Sequence, residues 1–230
     1  MLILCDSKMP ATAKARLAEY GEIVEFATRG ITYDAISGHP DIFFCPTPVG
    51  LIVAPNLSEK YYSVLKKHAI NYTVGQMPVG VKYPDSARYN ALVNDTYLIQ
   101  NPMISDPTIS EINPGLDIIN VKQGYVRCNL VGLPGGSFIT SDRGIEKSLM
   151  QYSKEVLFVD PSSVKLSGFE NGFIGGACGL SENKLFLCGS LRYINERDQI
   201  EALAARSGVQ IIELYDGMPV DVGTILFLKD

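Results

Sequence analysis

Short apolar runs recur along the chain at a nearly constant spacing. Each run ends in a small or polar residue of the kind that begins helices: LILCDS from Leu2, LIVAPN from Leu51, YLIQNP from Tyr97, SFITSD from Ser137 and LFLCGS from Leu185. Their offsets are 49, 46, 40 and 48 residues, and 47 more lead from the last copy past residue 230 back to the first. A period of this length predicts an array of similar supersecondary units.

Other predicted elements surround each run. A short strand precedes each copy, at 42–46, 90–94, 127–133, 172–177 and 223–228. Helical stretches follow at 10–20, 57–69, 143–153 and 195–206, with Asp6 or Ser7, Asn56, Asp142 and Ser190 as caps. After Pro102 the helical stretch is shorter, because prolines interrupt it. Further apolar runs at 22–26, 155–160 and 209–215 indicate buried strands.

The predicted unit is therefore strand, strand, helix, strand, repeated five times. Such units cannot bury their apolar faces alone, so they must pack around a common centre. Because the period closes only through the termini, we expect an α/β fold of one domain, residues 1–230. It would be a five-bladed β/α propeller with pseudo-fivefold symmetry, in which the two termini form one hairpin. The alternative is a doubly wound sheet, but tight turns at 94–96 and 134–136 favour hairpins over parallel crossovers.

Composition narrows the classes of function. The 230 residues carry a formal charge of −5, and no basic run exceeds Lys66-Lys67, which argues against nucleic acid as a partner. The opening MLILC is too short for a signal peptide, and no apolar run approaches a membrane span of about 20 residues. We therefore expect a cytoplasmic protein that does not bind membranes. The sequence does not indicate an oligomeric state.

Cofactor and metal motifs are weak. The five cysteines lack Cys-x-x-Cys spacing, and the chain has only two histidines. We therefore do not expect a disulfide framework or a metal site. The segment GFIGGACG (172–179) lacks both a dinucleotide fingerprint and the lysine of a phosphate loop. We expect no cofactor.

Candidate chemistry begins with GYVRCNLV (124–131), where Cys128 follows an arginine ahead of an apolar strand. A cysteine there is either a buried core residue or a nucleophile. In HPDIFF, His39 has a side chain suited to acid and base catalysis, and Asp41 would share a strand face with it. Each also has a structural interpretation, as a residue of the turn around Pro40.

These stretches resemble the guanidino-group-modifying superfamily, the penteins, which includes arginine and agmatine deiminases, dimethylarginine hydrolases and amidinotransferases. HPDIFFCPTPVGLIVAPN (39–56) is similar to the family's H-x-D-x-x-F strand, RYNALVND to its asparagine repeat, and GYVRC to its G-x-x-R-C nucleophile context. Asp221-Val222-Gly223-Thr224 stands where the family has E-G-G-D, with one carboxylate and one glycine retained. The family's further substrate-binding aspartate has no counterpart around 173–178, and the order of repeats is permuted.

The resemblance implies a role for each residue that matches a motif. Cys128 would be the nucleophile, His39 the acid and base, and Asp221 would orient the imidazole or bind substrate. Asp41, Asn90 and Arg127 would be substrate-binding residues, with Arg127 also favouring ionisation of the thiol. Structural alternatives remain for Asn90 as a turn residue and for Asp221 as a solvated strand end. Cys178, among glycines, is a rival nucleophile.

Two functions follow from different classes. The first is a hydrolase or amidinotransferase that acts on a small guanidino or amidino compound through a cysteine thioether. The second is a non-catalytic propeller that binds a protein or ribosomal partner, as the ribosome anti-association factor of the same fold class does. Convergence of Cys128, His39, Asp41 and Asp221 at one mouth of the ring favours the enzyme.

Overall fold

The computed structural model describes residues 1–229, so Asp230, the last residue of the expected domain, lies outside the described part. Five separate three-stranded sheets make up the β-structure. In each sheet the middle strand pairs antiparallel with one neighbour and parallel with the other. This arrangement confirms the five-bladed propeller, and the doubly wound alternative is wrong.

The strands and helices follow the predicted order. The strands are β1 (Leu2–Asp6), β2 (Glu22–Phe26), β3 (Phe44–Thr47), β4 (Gly50–Val53), β5 (Tyr72–Val74), β6 (Leu92–Val93), β7 (Tyr97–Gln100), β8 (Asp117–Asn120), β9 (Leu130–Gly132), β10 (Ser137–Thr140), β11 (Glu155–Phe158), β12 (Cys178–Ser181), β13 (Lys184–Leu187), β14 (Gln210–Glu213) and β15 (Leu226–Leu228). The α-helices are α1 (Ala11–Leu17), α2 (Glu59–Lys67), α3 (Thr108–Glu111), α4 (Val126–Asn129), α5 (Arg143–Gln151) and α6 (Arg197–Arg206).

One blade joins the two ends of the chain. Its strands lie in the order β15, β1, β2, and Leu2 pairs with Leu228 and Leu4 with Leu226 in an antiparallel register. All five residues of β1 are buried. The expected hairpin between the termini is therefore confirmed, and it closes the ring.

The first strand of each blade faces the axis of the ring. Strand β3 contacts β6, β9 contacts β12, and β12 contacts β15. The residues just before these strands meet at one end of the axis, which we call the site end. The hairpin turns that follow them meet at the other, which we call the turn end.

Two predicted elements differ from the structure. In the blade formed by β12, β13 and β14, the first strand begins at Cys178 rather than spanning 172–177. Cys178 therefore lies in a buried strand and not in a turn. The glycines before it serve close approach to other segments instead: Gly176 donates from its backbone N–H to the Cys128 carbonyl at 2.7 Å. The third strands, expected to be buried, are largely exposed, as at Glu22 and Glu25 of β2, because they form the outer rim of the blades.

Helix capping agrees with the sequence in one case. The Asp142 carboxylate accepts a hydrogen bond from the Ile145 N–H at 2.8 Å and begins α5. Ser190 caps a short 3₁₀ turn at Leu191–Tyr193 rather than α6. Helix α3 has only four residues, as the prolines that interrupt this segment predict. None of the helices within residues 1–229 combines the length and apolar character needed to span a bilayer.

We predict that closure of the ring carries much of the stability. Leu226→Ala removes a side chain that is 2% exposed in the closing strand, and we expect it to lower the free energy of unfolding by about 2–4 kcal/mol. Val74→Ala is a matched control, because Val74 is 46% exposed on a rim strand and its truncation should cost under about 0.5 kcal/mol. Urea denaturation measures both. Equal effects would show that the terminal hairpin is not critical.

Candidate functional site

Cys128 lies on α4, a single helical turn immediately before β9, rather than in the strand itself. Its backbone N–H donates to Asn90 Oδ1 at 3.0 Å, and the N–H groups of Val126 and Arg127 donate to the Asn90 carbonyl. Asn90 is fully buried and comes from the neighbouring blade. It therefore fixes the position of the turn that carries the thiol.

The sulfur of Cys128 contacts two of the expected residues. The thiol donates to Asp41 Oδ2 at 3.0 Å, and Asn90 Nδ2 lies 3.1 Å from the sulfur. Asp41 sits in a 3₁₀ turn at Pro40–Ile42, not on a strand as expected, and its backbone N–H donates to the Gly223 carbonyl. Its Oδ2 also accepts from the Thr224 hydroxyl at 2.7 Å. Three blades thus meet at one carboxylate.

His39 lies between two carboxylates. Its Nε2 is 3.7 Å from Asp6 Oδ2, and its Nδ1 is 3.8 Å from Asp221 Oδ1. Both distances exceed ordinary hydrogen-bond lengths, so the imidazole is placed by packing more than by direct bonds. His39 is 2% exposed.

Asp221 is held by backbone donors. The N–H groups of Gly223 and Phe173 donate to its two oxygens, each at 3.0 Å. Gly223 adopts a φ of 65°, and a Cβ there would overlap the Cβ of His39. Only glycine combines this left-handed backbone with so close an approach to the imidazole.

Burial dominates the electrostatics of the cluster. It raises the pKa of Asp6 to about 6 and that of Asp221 to about 7, where the charge of Asp41 adds to the shift. The pKa of Asp41 is also raised, first by burial. Within residues 1–229, His39 is the sole basic side chain within 4.0 Å of these three carboxylates. No cationic side chain of the described residues therefore lies against Asp6, Asp41 and Asp221, and we call this cluster the acidic well.

Burial likewise keeps the thiol and the imidazole uncharged. It lowers the pKa of His39 to about 3, with the charge of Lys8 as a second cause. It raises the pKa of Cys128 well above the usual thiol value, and the charge of Asp41 raises it further. At neutral pH the site therefore holds a thiol and a neutral imidazole.

Two buried polar atoms of the cluster lack a hydrogen-bond partner among the described residues: His39 Nδ1 and Asp41 Oδ1. Buried polar atoms are almost always satisfied in native proteins, and unsatisfied ones are concentrated at functional sites. The two atoms flank the region where the sulfur, the imidazole and the carboxylates converge. They leave hydrogen-bonding capacity unused within the described part of the cluster.

Aromatic residues surround the site end. The Tyr125 hydroxyl is 2.6 Å from Ser86 Oγ and 3.4 Å from the Tyr33 hydroxyl, and Tyr33 packs against Phe169 with ring centroids 5.7 Å apart. Burial raises the pKa of both tyrosines, and a charge on Cys128 would raise it further. The two phenol groups therefore lie near the Cys128 thiol. The thiol itself is buried, since Cys128 is only 3% exposed.

Arg127 makes no ion pair with the acidic well within the described residues. It lines a cavity of about 320 Å³ with residues near the turn end and with Thr224, and its Nε donates to the Ala91 carbonyl at 3.4 Å. Its charge nevertheless lowers the pKa of Asp41, opposing the effect of burial. Its expected role in substrate binding stays a prediction.

Sequence reasoning missed two residues of the cluster, Asp6 and Thr224. Asp6 ends β1, where it was interpreted as a helix cap, and Thr224 follows the glycine beside His39. Position in the repeat offered a clue, because Asp6 ends β1, the middle strand of the blade whose first strand follows Asp221. No group of three or more His, Cys, Asp or Glu suited to holding a metal ion occurs in the described part of the chain.

Comparisons with known proteins agree with this architecture. The model of DUF6873, described as a family of unknown function, matches residues 4–226. No curated protein sequence matches the chain.

Similar solved structures include DDAH from Pseudomonas aeruginosa, as a cysteine-to-serine mutant complexed with citrulline. It has 11% identity and a TM-score of 0.52 over 92% of this chain and 91% of the other. SxtG, an amidinotransferase from the saxitoxin pathway of Microseira wollei, has 10% identity and a TM-score of 0.54 over 96% and 93%. Agmatine deiminase from C. jejuni has 11% identity and a TM-score of 0.53 over 93% and 74%. These likenesses establish the pentein fold.

We predict that Asp221 makes stability fall as pH rises. Its pKa is raised to about 7 in the folded chain, so the folded state binds more protons than the unfolded state between the usual aspartate pKa and pH 7. Asp221→Asn should remove this loss. Between pH 5 and 8 the variant should gain on the wild type by about 2–3 kcal/mol, at roughly 1.4 kcal/mol per pH unit.

Urea denaturation at several pH values measures this difference. Asp160→Asn is a control, because Asp160 caps a surface turn and its pKa is lowered by the backbone N–H of Ser162. A pH profile of Asp221→Asn parallel to that of the wild type would contradict the assigned protonation.

Proposed function

The chain belongs to the DUF6873 family, and we propose that it is a hydrolase or amidinotransferase that acts on a small guanidino or amidino compound through a covalent thioether on Cys128. The observation that carries this proposal is the acidic well. Asp6, Asp41 and Asp221 are buried together without a cationic side chain of the described residues beside them, and a nucleophile donates directly to one of them. A planar cation with several N–H donors would neutralise such a well.

A guanidinium supplies N–H donors of the kind that the unpaired Asp41 oxygen accepts. It presents N–H donors in one plane, which suits bidentate contact with a carboxylate. Asp41 Oδ1 has no partner among the described residues, and Asp41 Oδ2 already faces the sulfur. A guanidinium bound through Asp41 would therefore place its carbon beside Cys128. Asn90, which contacts both groups, would hold them in register.

The first step forms the carbon–sulfur bond. The Cys128 thiol passes its proton to Asp41 Oδ2 and the thiolate adds to the amidino carbon, which gives a neutral tetrahedral adduct. His39 then accepts this proton from Asp41 and delivers it to one nitrogen, which leaves as an amine or ammonia. The product is a thiouronium cation attached to Cys128, and the carboxylates stabilise its charge.

The second step regenerates the enzyme. His39 accepts a proton from an attacking water molecule, and the carbon–sulfur bond breaks as the hydroxyl proton passes to the sulfur, which releases a ureido or amide product. His39 then gives its proton to the departed amine or to solvent. If an amine attacks instead of water, the amidino group is transferred. Asp221 orients the imidazole from its Nδ1 side, and Asp6 does so from its Nε2 side.

The comparisons support this proposal through the fold. The similar structures bear names of guanidino-modifying enzymes, and one of them contains citrulline. The amino-acid sequence adds the match of Cys128, His39, Asp41 and Asn90 to the family's motifs. Arg127 would act here only through Asp41 or on an anionic part of the substrate, because its own guanidinium repels a cationic group.

Affinity labelling tests the nucleophile and the charge requirement together. We expect chloroacetamidine, a cation, to alkylate Cys128 at least about tenfold faster than neutral chloroacetamide after correction for their rates with free thiol, since a charge-assisted contact contributes about 1.5–3 kcal/mol. Asp41→Asn should remove most of this preference. Mass spectrometry of the labelled peptides measures both.

Cys178→Ala is the matched control, because that thiol is also buried but lies on a strand without a histidine beside it. It should leave the labelling unchanged, whereas Cys128→Ala should abolish it. Slow labelling of several thiols with no preference for the cation would refute the enzyme and favour a non-catalytic propeller that binds a protein or ribosomal partner.

His39 should separate the two steps. With a guanidino substrate that the wild type turns over, His39→Asn should lower the turnover rate by about 10²–10⁴-fold, since proton transfer to and from the reacting groups is lost. Binding of free guanidinium should change little, because His39 is neutral and does not supply the acidic charge. Turnover assays and calorimetric titration with guanidinium measure the two effects. A parallel loss of both would assign His39 to binding instead.

A further inference from the structure

A cavity lies on the axis at the turn end of the ring. Its volume is about 320 Å³, and Arg127 and Thr224 lie among its lining residues, whereas Cys128, His39, Asp41 and Asp221 do not. The other walls include strand residues that approach the hairpin turns, such as Leu92 and Phe227. The cavity is therefore distinct from the acidic well, although Thr224 borders both.

The guanidinium of Arg127 makes few contacts with polar groups of the described residues. It is half-buried, and within residues 1–229 no carboxylate lies within 4.0 Å of it. Its single hydrogen bond is the long contact from Nε to the Ala91 carbonyl. A guanidinium carries five N–H donors, and apart from that contact those of Arg127 have no partner among the described residues. Asp95, the other charged lining residue, is exposed at the rim.

Most of the residues around this cation are apolar, and polar groups also contribute to the cavity surface. Leu92, Leu130 and Leu226 are buried lining residues, and Phe227 completes the wall. A cavity of a few hundred Å³ lined mainly by apolar residues, with a charged residue among them, is typical of a small-molecule site. Phosphate sites commonly supply several cationic or N–H donors, and here the lining offers one guanidinium. The combination suits a monoanion with an apolar body.

We propose that this axial cavity binds a small aliphatic carboxylate, with the carboxylate on the Arg127 guanidinium and the hydrocarbon part against the leucine walls. This inference goes beyond the proposed function and does not depend on it. The carboxylate would pair bidentately with Arg127, as planar guanidinium groups favour. Nothing in the reaction at Cys128 is required for such binding.

The site has a direct connection to the acidic well. The Thr224 hydroxyl donates to Asp41 Oδ2, and Arg127 is adjacent in sequence to Cys128. The charge of Arg127 is also a cause that lowers the pKa of Asp41. A bound carboxylate would neutralise that charge and so weaken its effect on the residue that contacts the thiol.

A fluorescent reporter places the test at the cavity itself. The chain has no tryptophan, so Phe227→Trp introduces one on the cavity wall. We expect isovalerate to change its emission saturably at constant ionic strength, whereas isovaleramide, which has the same shape without the charge, should not. Calorimetric titration of the wild-type protein with the same two compounds checks that the reporter has not created the site.

Variants connect the response to Arg127. Arg127→Met should abolish isovalerate binding, and Arg127→Lys should weaken it about tenfold or more, since the bidentate contact is lost. Cys128→Ser should bind isovalerate as the wild type does, even though it would lack any thioether chemistry. If Arg127→Met does not fold, the comparison of isovalerate with isovaleramide and the Arg127→Lys variant still decide.

Several results would overturn the proposal. These are no saturable response, an equal response to isovaleramide, or binding that survives in Arg127→Met. Inorganic phosphate that binds as tightly as isovalerate would show a general oxyanion site and would refute the carboxylate assignment. Failure of labelling at Cys128 with intact isovalerate binding would refute only the proposed enzyme.

Discussion

The pairing of β1 with β15 is the interaction on which the rest of the structure depends. It joins the ends of a chain of five similar blades, and it places Asp6 from the first strand and Asp221 from the segment before the last strand on opposite sides of His39. Without closure, these residues would be separated by most of the chain. The geometry of the acidic well is therefore a consequence of ring closure rather than of any local motif.

The well itself places an electrostatic demand on the protein. Burial raises the pKa values of the three carboxylates, and the charge of Asp41 adds to the shifts of Asp6 and Asp221. The only basic group within 4.0 Å of them in the described residues is an imidazole that burial keeps neutral. Such an arrangement opposes folding at neutral pH unless protons or a cationic ligand compensate. Proteins tolerate costs of this kind at sites that bind charged ligands. The acidic well and the Arg127 cavity then form two regions of opposite charge preference along one axis.

Periodicity was sufficient to predict the fold, because each blade repeats the same order of apolar runs and helix-starting residues. It also placed Cys128, His39, Asp41, Asn90 and Asp221 at equivalent positions, and the structure brings them to the site end. The roles of these residues and of Arg127 stay predictions. Burial of the rim strands was mispredicted, since apolar runs such as 22–26 do not reveal which edge of a sheet lacks a neighbour. Asp6 and Thr224 were not predicted, because they join the site through contacts between blades. In the sequence, Asp6 is typical of a helix cap and Thr224 of a turn.

Gly223 has a further implication for how such proteins diverge. A single methyl group at this position would collide with the imidazole while leaving every polar side chain of the cluster in the sequence, and Gly176 stands in the same relation to the Asp221 carboxylate. A relative that kept the histidine and the aspartate but carried alanine at either place would pass a search for reactive residues and yet have a disrupted centre. In this fold, the glycines that allow close packing are thus as necessary for the geometry of the centre as the residues with reactive side chains.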